Sequence, residues 1–66
     1  MEIILNGQKK ILDKKMSLIE LIHQLGLDEK WVVAELNGEA LIKKDYVQTF
    51  LSAGDHIELV RAVSGG

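Results

Sequence analysis

Two Asn-Gly dipeptides, Asn6-Gly7 and Asn37-Gly38, restrict this chain more than any other feature of it. A tight two-residue hairpin turn needs positive φ at both central residues, and Asn followed by Gly meets that need at low steric cost. Ile3, Ile4 and Leu5 run into the first pair and Ile11-Leu12 follows at strand spacing, which predicts an antiparallel hairpin. The segment Trp31 to Leu36, rich in β-formers, runs into the second pair and predicts a third strand, with Leu41-Ile42 pairing briefly beyond the turn.

Between these hairpins lies a helix with both ends marked. Ser17 is a capping residue, Glu20 three positions on completes a capping box, and Met16 is placed to staple onto Leu21. Leu18, Leu21, Ile22 and Leu25 then share one face, Gly26 suits the left-handed position after the helix, and Leu27 is placed to pack back on Ile22. Tyr46 to Leu51 alternates, with Val47, Thr49 and Leu51 on one side and Tyr46, Gln48 and Phe50 on the other, which predicts a short fourth strand. After a Gly54-Asp55 turn, His56 to Val63 predicts the last strand.

The order ββαβ(β)β points to an α+β fold, a mixed sheet of four to five strands with the helix laid over one face. Ile3, Leu5, Ile57 and Leu59 are the expected partners of the helix stripe. The opposite face then carries Glu2, Ile4, Glu58, Val60 and Ala62. Apolar side chains there either reflect the strand preference of Ile and Val or form a docking surface.

With 66 residues, 47% of them hydrophobic and 27% charged, the chain is expected to be one compact domain over 1–66, with a flexible tail at 64–66. So small a domain has little interior for a closed cleft, and independent catalysis is not expected. There is no cysteine, which excludes disulfides, thiolate zinc sites and a side-chain sulfur nucleophile. His23 and His56 do not share a zinc-binding spacing and read as surface histidines, Ser17 is explained by capping, and no glycine-rich phosphate loop appears. Neither a bound metal nor a bound cofactor is expected.

Eight Lys and Arg against ten Asp and Glu give a net charge of −2, with the lysine pairs scattered, unlike a nucleic-acid footprint. No apolar run approaches the roughly 20 residues of a membrane span, and no basic region precedes the apolar run of Met1 to Leu5. A cytoplasmic protein away from the membrane is expected.

What remains is the end, where Ser64, Gly65 and Gly66 follow the last strand. Two glycines there suit either a frayed end or a tail threaded through a narrow enzyme channel, because glycine lets backbone approach without a Cβ. A carboxylate at Gly66 is ionised at neutral pH and is a poor acyl acceptor, so acyl chemistry there needs conversion to an anhydride such as an acyl-adenylate. ATP would then come with a partner. A sulfur nucleophile held by a partner can attack the activated carbonyl and leave a thiocarboxylate, with no cysteine of the chain's own.

Asn6-Gly7, the Ser17 to Gly26 helix, Asn37-Gly38, the run Leu51-x-x-Gly54-Asp55-x-Ile57-Glu58 and terminal Gly65-Gly66 together resemble the ThiS-like sulfur carriers of thiamine biosynthesis, over the whole chain. The resemblance implies a ubiquitin-like β-grasp fold. It implies adenylation of Gly66 by an E1-like, ThiF-like adenylating enzyme that uses ATP, sulfur from a donor such as a cysteine desulfurase, and delivery to a ThiG-like thiazole synthase. Ser64 stands where these carriers often have glycine or alanine. Three other readings stay open: the small subunit of molybdopterin synthase, a related carrier that tends to be longer; a β-grasp interaction module with Gly65-Gly66 as a mere end; and a ubiquitin-like modifier conjugated to lysines.

Overall fold

The computed structural model describes residues 1–62. Strands β1 (Glu2–Leu5) and β2 (Gln8–Ile11) form the first hairpin, with Leu5 facing Gln8 across a two-residue turn. Asn6 and Gly7 stand at φ +49° and +81°, the backbone that the dipeptide was suited to supply. Helix α1 (Leu18–Gln24) follows. Its entry is the capping box: Ser17 Oγ accepts from the Glu20 N–H at 3.2 Å, and Glu20 Oε1 accepts from the Ser17 N–H at 2.9 Å. Its exit is a left-handed Gly26, with the Gly26 N–H donating to His23 O at 2.9 Å and the Leu27 N–H to Ile22 O at 3.1 Å, the paired bonds of a Schellman end.

A short 3-10 turn, Glu29–Trp31, leads into β3 (Val32–Leu36), so Trp31 belongs to that turn and the strand begins one residue later than expected. The second hairpin closes through Asn37 and Gly38 onto β4 (Glu39–Ala40), and β5 (His56–Arg61) completes the sheet. Pairing beyond the second turn therefore falls on Glu39 and Ala40, with a single further bond from the Leu41 N–H to Ala34 O at 3.0 Å. The sheet order is β2-β1-β5-β3-β4, with β1 parallel to β5 and the other pairs antiparallel. This is the mixed five-stranded sheet of an α+β, β-grasp architecture. Leu18, Leu21 and Ile22 of α1 share one buried cluster with Ile3, Ala34 and Ile57, while Leu5 and Leu59 pack half-buried against it.

The strand expected at Tyr46 to Leu51 is absent. Lys43–Asp45 instead forms a 3-10 turn, and the alternation fails: Tyr46 and Leu51 are buried while Val47 and Phe50 are exposed. The cause is the phenol of Tyr46. Its Oη accepts from the Ala34 N–H at 3.0 Å and lies 3.3 Å from Val32 O, to which it donates. These two groups lie on the β4 side of β3, beyond the reach of the two-residue β4. One hydroxyl, being donor and acceptor together, supplies the bonds that another strand's peptide groups would have made. The extended end of the segment pairs elsewhere. Phe50 bridges Ser17, the Leu18 N–H donates to Thr49 O at 2.7 Å, and the Leu51 N–H donates to Met16 O at 3.0 Å, so it braces the helix entry.

Candidate functional site

β5 leads towards the expected tail, and the elements beside it decide how the chain leaves the sheet. On one side β3 accompanies it from the pair Leu36 and Ile57 to the pair Val32 and Arg61. The Ala62 N–H then donates to Trp31 O at 2.6 Å. On the other side β1 pairs with it only at Ile4 with His56 and Leu5 with Ile57, and the Asn6 N–H adds a bond to Ile57 O at 2.8 Å. Past that point the Asn6 side chain takes over, its Oδ1 accepting from the Leu59 N–H at 2.8 Å. Asn37 clasps the strand's other end, accepting from the His56 N–H at 2.9 Å and donating to Asp55 Oδ1 at 3.1 Å. Ser64, Gly65 and Gly66, the expected tail and reacting end, lie outside the described residues, as does Val63.

Of the five residues expected on the outward face, Ile4, Glu58, Val60 and Ala62 are the candidate docking residues, and they do not form one patch. Val60 is 59% exposed and faces Val33, 46% exposed, on β3. Together with half-buried Ala62 they make an apolar step beside the point where the tail begins. Ile4 is half-buried and registers with His56, four residues back along β5 from Val60, roughly 13 Å at the usual strand rise. Glu58 lies between, paired with Glu35, so two exposed carboxylates rim the apolar step on that side. Val33 is the residue missed in the sequence. Its neighbours Val32 and Ala34 are buried, so strict alternation along β3 turns it outward, and the antiparallel register sets it against Val60.

Both histidines stand away from this face's apolar step. His23 Nε2 lies 2.8 Å from Glu29 Oε1, tying the end of α1 to the turn before β3, and this hydrogen bond holds the Glu29 carboxyl below the ordinary carboxylate range. His56 is exposed. Among the described residues no group of three or more His, Cys, Asp or Glu side chains is placed to hold a metal ion. No described helix is long and apolar enough to cross a membrane.

The sequence model of the ThiS family matches residues 3–66. The chain belongs to the ThiS family. ThiS-family proteins are sulfur carriers of β-grasp fold. The crystal structure of a thiamine biosynthesis protein, ThiS, from Geobacter metallireducens is 29% identical and superposes with a TM-score of 0.86 over 100% of both chains. A solution structure of a thiamine biosynthesis protein from the same organism is 29% identical, with a TM-score of 0.83 over 100% of this chain and 88% of the other. A thiazole synthase from Paramagnetospirillum magneticum is 32% identical over 66 residues, all of this ThiS-family chain and 20% of the relative. The chain thus spans about a fifth of the curated relative it matches.

Proposed function

We propose that this ThiS-family chain carries sulfur as a thiocarboxylate on Gly66 for the thiazole ring of thiamine. The observation that carries the reading is the family match, which runs through Gly65-Gly66 to residue 66. In the first step a carboxylate oxygen of Gly66 attacks the α-phosphorus of ATP on an E1-like, ThiF-like enzyme, and pyrophosphate leaves. In the second a partner's persulfide, charged by a donor such as a cysteine desulfurase, attacks the carbonyl carbon and AMP leaves. A partner thiol then cleaves the S–S bond of the resulting acyl disulfide, so the thiocarboxylate stays on Gly66 and the partner is left with a disulfide. The chain supplies the acyl group and the unhindered approach of Ser64, Gly65 and Gly66, and the partner supplies ATP and the channel.

The thiamine role is favoured over molybdopterin because two solved relatives are thiamine biosynthesis proteins and the curated relative is a thiazole synthase. A homologous stretch within a thiazole synthase chain also supports a ThiG-like thiazole synthase as the acceptor. The docking face we propose is Val60 and Ala62 with Val33, flanked by Glu58 and bounded by Ile4. It suits an apolar partner surface with a basic rim opposite Glu58 and Glu35.

The test is ATP-dependent pyrophosphate exchange with the adenylating enzyme, then intact mass analysis for an oxygen-to-sulfur exchange. Deleting Gly66 should leave the melting transition nearly unchanged yet stop activation, since the new carboxylate sits about 3.5 Å short and misplacement by about 1 Å can cost a hundredfold. Adding one alanine after Gly66 should block it as well. Wild-type rates for both length variants would refute the carrier reading and leave an interaction module in its place.

A further inference from the structure

Asn6 does two things in this structure, and only one of them belongs to the hairpin. Its backbone, at φ +49°, makes the turn between β1 and β2. Its side chain reaches across to a residue 53 positions away in sequence, accepting the Leu59 N–H at 2.8 Å. That bond falls where β5 loses its neighbour. The β1 ladder ends with the Asn6 N–H to Ile57 O, and among the described residues no strand flanks Val60 to Ala62 on that side. Alternate residues of a strand turn their peptide groups to opposite edges. Ile57, Leu59 and Arg61 therefore present theirs to the β1 side, whereas Ala62 turns to Trp31 on the β3 side.

The last bond holding β5 from the β1 side is thus made by a side chain, three residues before the described chain ends at Ala62. A strand held along one edge pivots about that edge, and a bond on the other edge removes the freedom. We propose that Asn6 is a positioning residue for the reacting end: its amide fixes the direction in which β5 delivers the chain from the sheet. The proposal rests on the carrier reading, in which a carboxylate four residues beyond Ala62 must meet an activating site.

Two variants separate the side-chain bond from the turn. Asn6→Gly keeps a residue at ease with positive φ and removes the acceptor, whereas Asn6→Asp keeps an acceptor and tolerates the same backbone. Amide hydrogen exchange at Leu59 reads whether the clasp is open, and pyrophosphate exchange with the adenylating enzyme reads its consequence. In Asn6→Gly the Leu59 amide should exchange about tenfold faster, as expected for local opening. kcat should fall about tenfold, within the range for small misplacements, while KM stays within about twofold because the outward face is untouched. Asn6→Asp should restore both.

A wild-type kcat in Asn6→Gly with faster Leu59 exchange overturns the proposal, as does a rise in KM alone or an equal loss in both variants. Unchanged Leu59 exchange in Asn6→Gly overturns it too, because the clasp then holds nothing. If the wild-type chain is itself never adenylated, the carrier reading fails and takes this proposal with it. Failure of the clasp alone leaves wild-type activation intact.

Discussion

Replacing Tyr46 by Phe removes one oxygen atom and keeps the buried ring, so the cavity cost of a large-to-small change does not arise. What is lost is specific. The Ala34 N–H, buried on β3, donates to Tyr46 Oη at 3.0 Å, and Val32 O accepts from it at the longer distance of 3.3 Å. Both groups face the side where β4 has ended, and Tyr46 is only 1% exposed, so water does not replace the hydroxyl without opening the core. An orphaned buried donor costs about 1–3 kcal/mol, and an under-satisfied carbonyl is tolerated better, which puts Tyr46→Phe at about 2 kcal/mol. For a domain of this size each 1 kcal/mol shifts Tm by about 4–8 °C, so the expected drop is about 8–16 °C. Thermal and urea unfolding followed by circular dichroism measure it, with an unchanged m-value showing that the denatured state is not the cause. A drop below about 2 °C, corresponding to under about 0.5 kcal/mol on the same scale, would show that this hydroxyl does not stand in for a strand.

Ser17→Ala removes the helix cap and should cost about 1 kcal/mol at neutral pH, and an unchanged denaturation midpoint would count against the capping box. The Glu20 carboxyl is held below its ordinary value of 4.5 chiefly by its bond from the Ser17 backbone N–H. Its contribution is therefore present above the unfolded-state pKa and is lost as pH falls through the lower folded-state value. The stability gap between wild type and Glu20→Gln should accordingly narrow as pH falls from neutral into the acid range in pH-dependent urea titrations, and a gap that stays constant would refute the linkage. Val60→Glu should weaken binding to the adenylating enzyme by about tenfold or more while changing Tm little, because the charge faces water in the free chain and would be buried if the proposed face docks. Equal affinities in a calorimetric titration would remove this face from the interface.

Much of the architecture is legible in short-range chemistry. Ser17 with Glu20, Gly26 with Leu27, and each Asn-Gly pair act over two to five residues, so reading neighbours suffices, and all of these devices are present as expected. Tyr46 to Leu51 is illegible for the opposite reason. Its alternation of types matches a strand, yet the outcome is decided by a hydroxyl bonding residues 12 and 14 positions away. Nothing in the local pattern encodes that a phenol will satisfy a ladder.

The site divides along the same line. Gly65-Gly66, on which the proposed chemistry rests, is visible in the sequence, and the outward placing of Val60 follows from alternation along β5. Neither the splitting of Ile4 from Val60 nor the pairing of Val33 with Val60 is local, since both follow from β5 lying between β1 and β3. That placement also bears on the proposed function. A carrier whose reacting group is its own chain end has no pocket in which to orient it, so orientation must come from the strand before it. An edge strand would leave that approach paired on one side only. In this fold the strand feeding the tail is central, with β3 beside it as far as Arg61 and Asn6 completing the other edge where β1 stops. On the proposed reading the sheet does for that carboxylate what a cleft does for an enzyme's side chains, and Val33 and Val60 face outward close to Ala62, the last described residue, where the proposed docking face would set a partner near the end it has to receive.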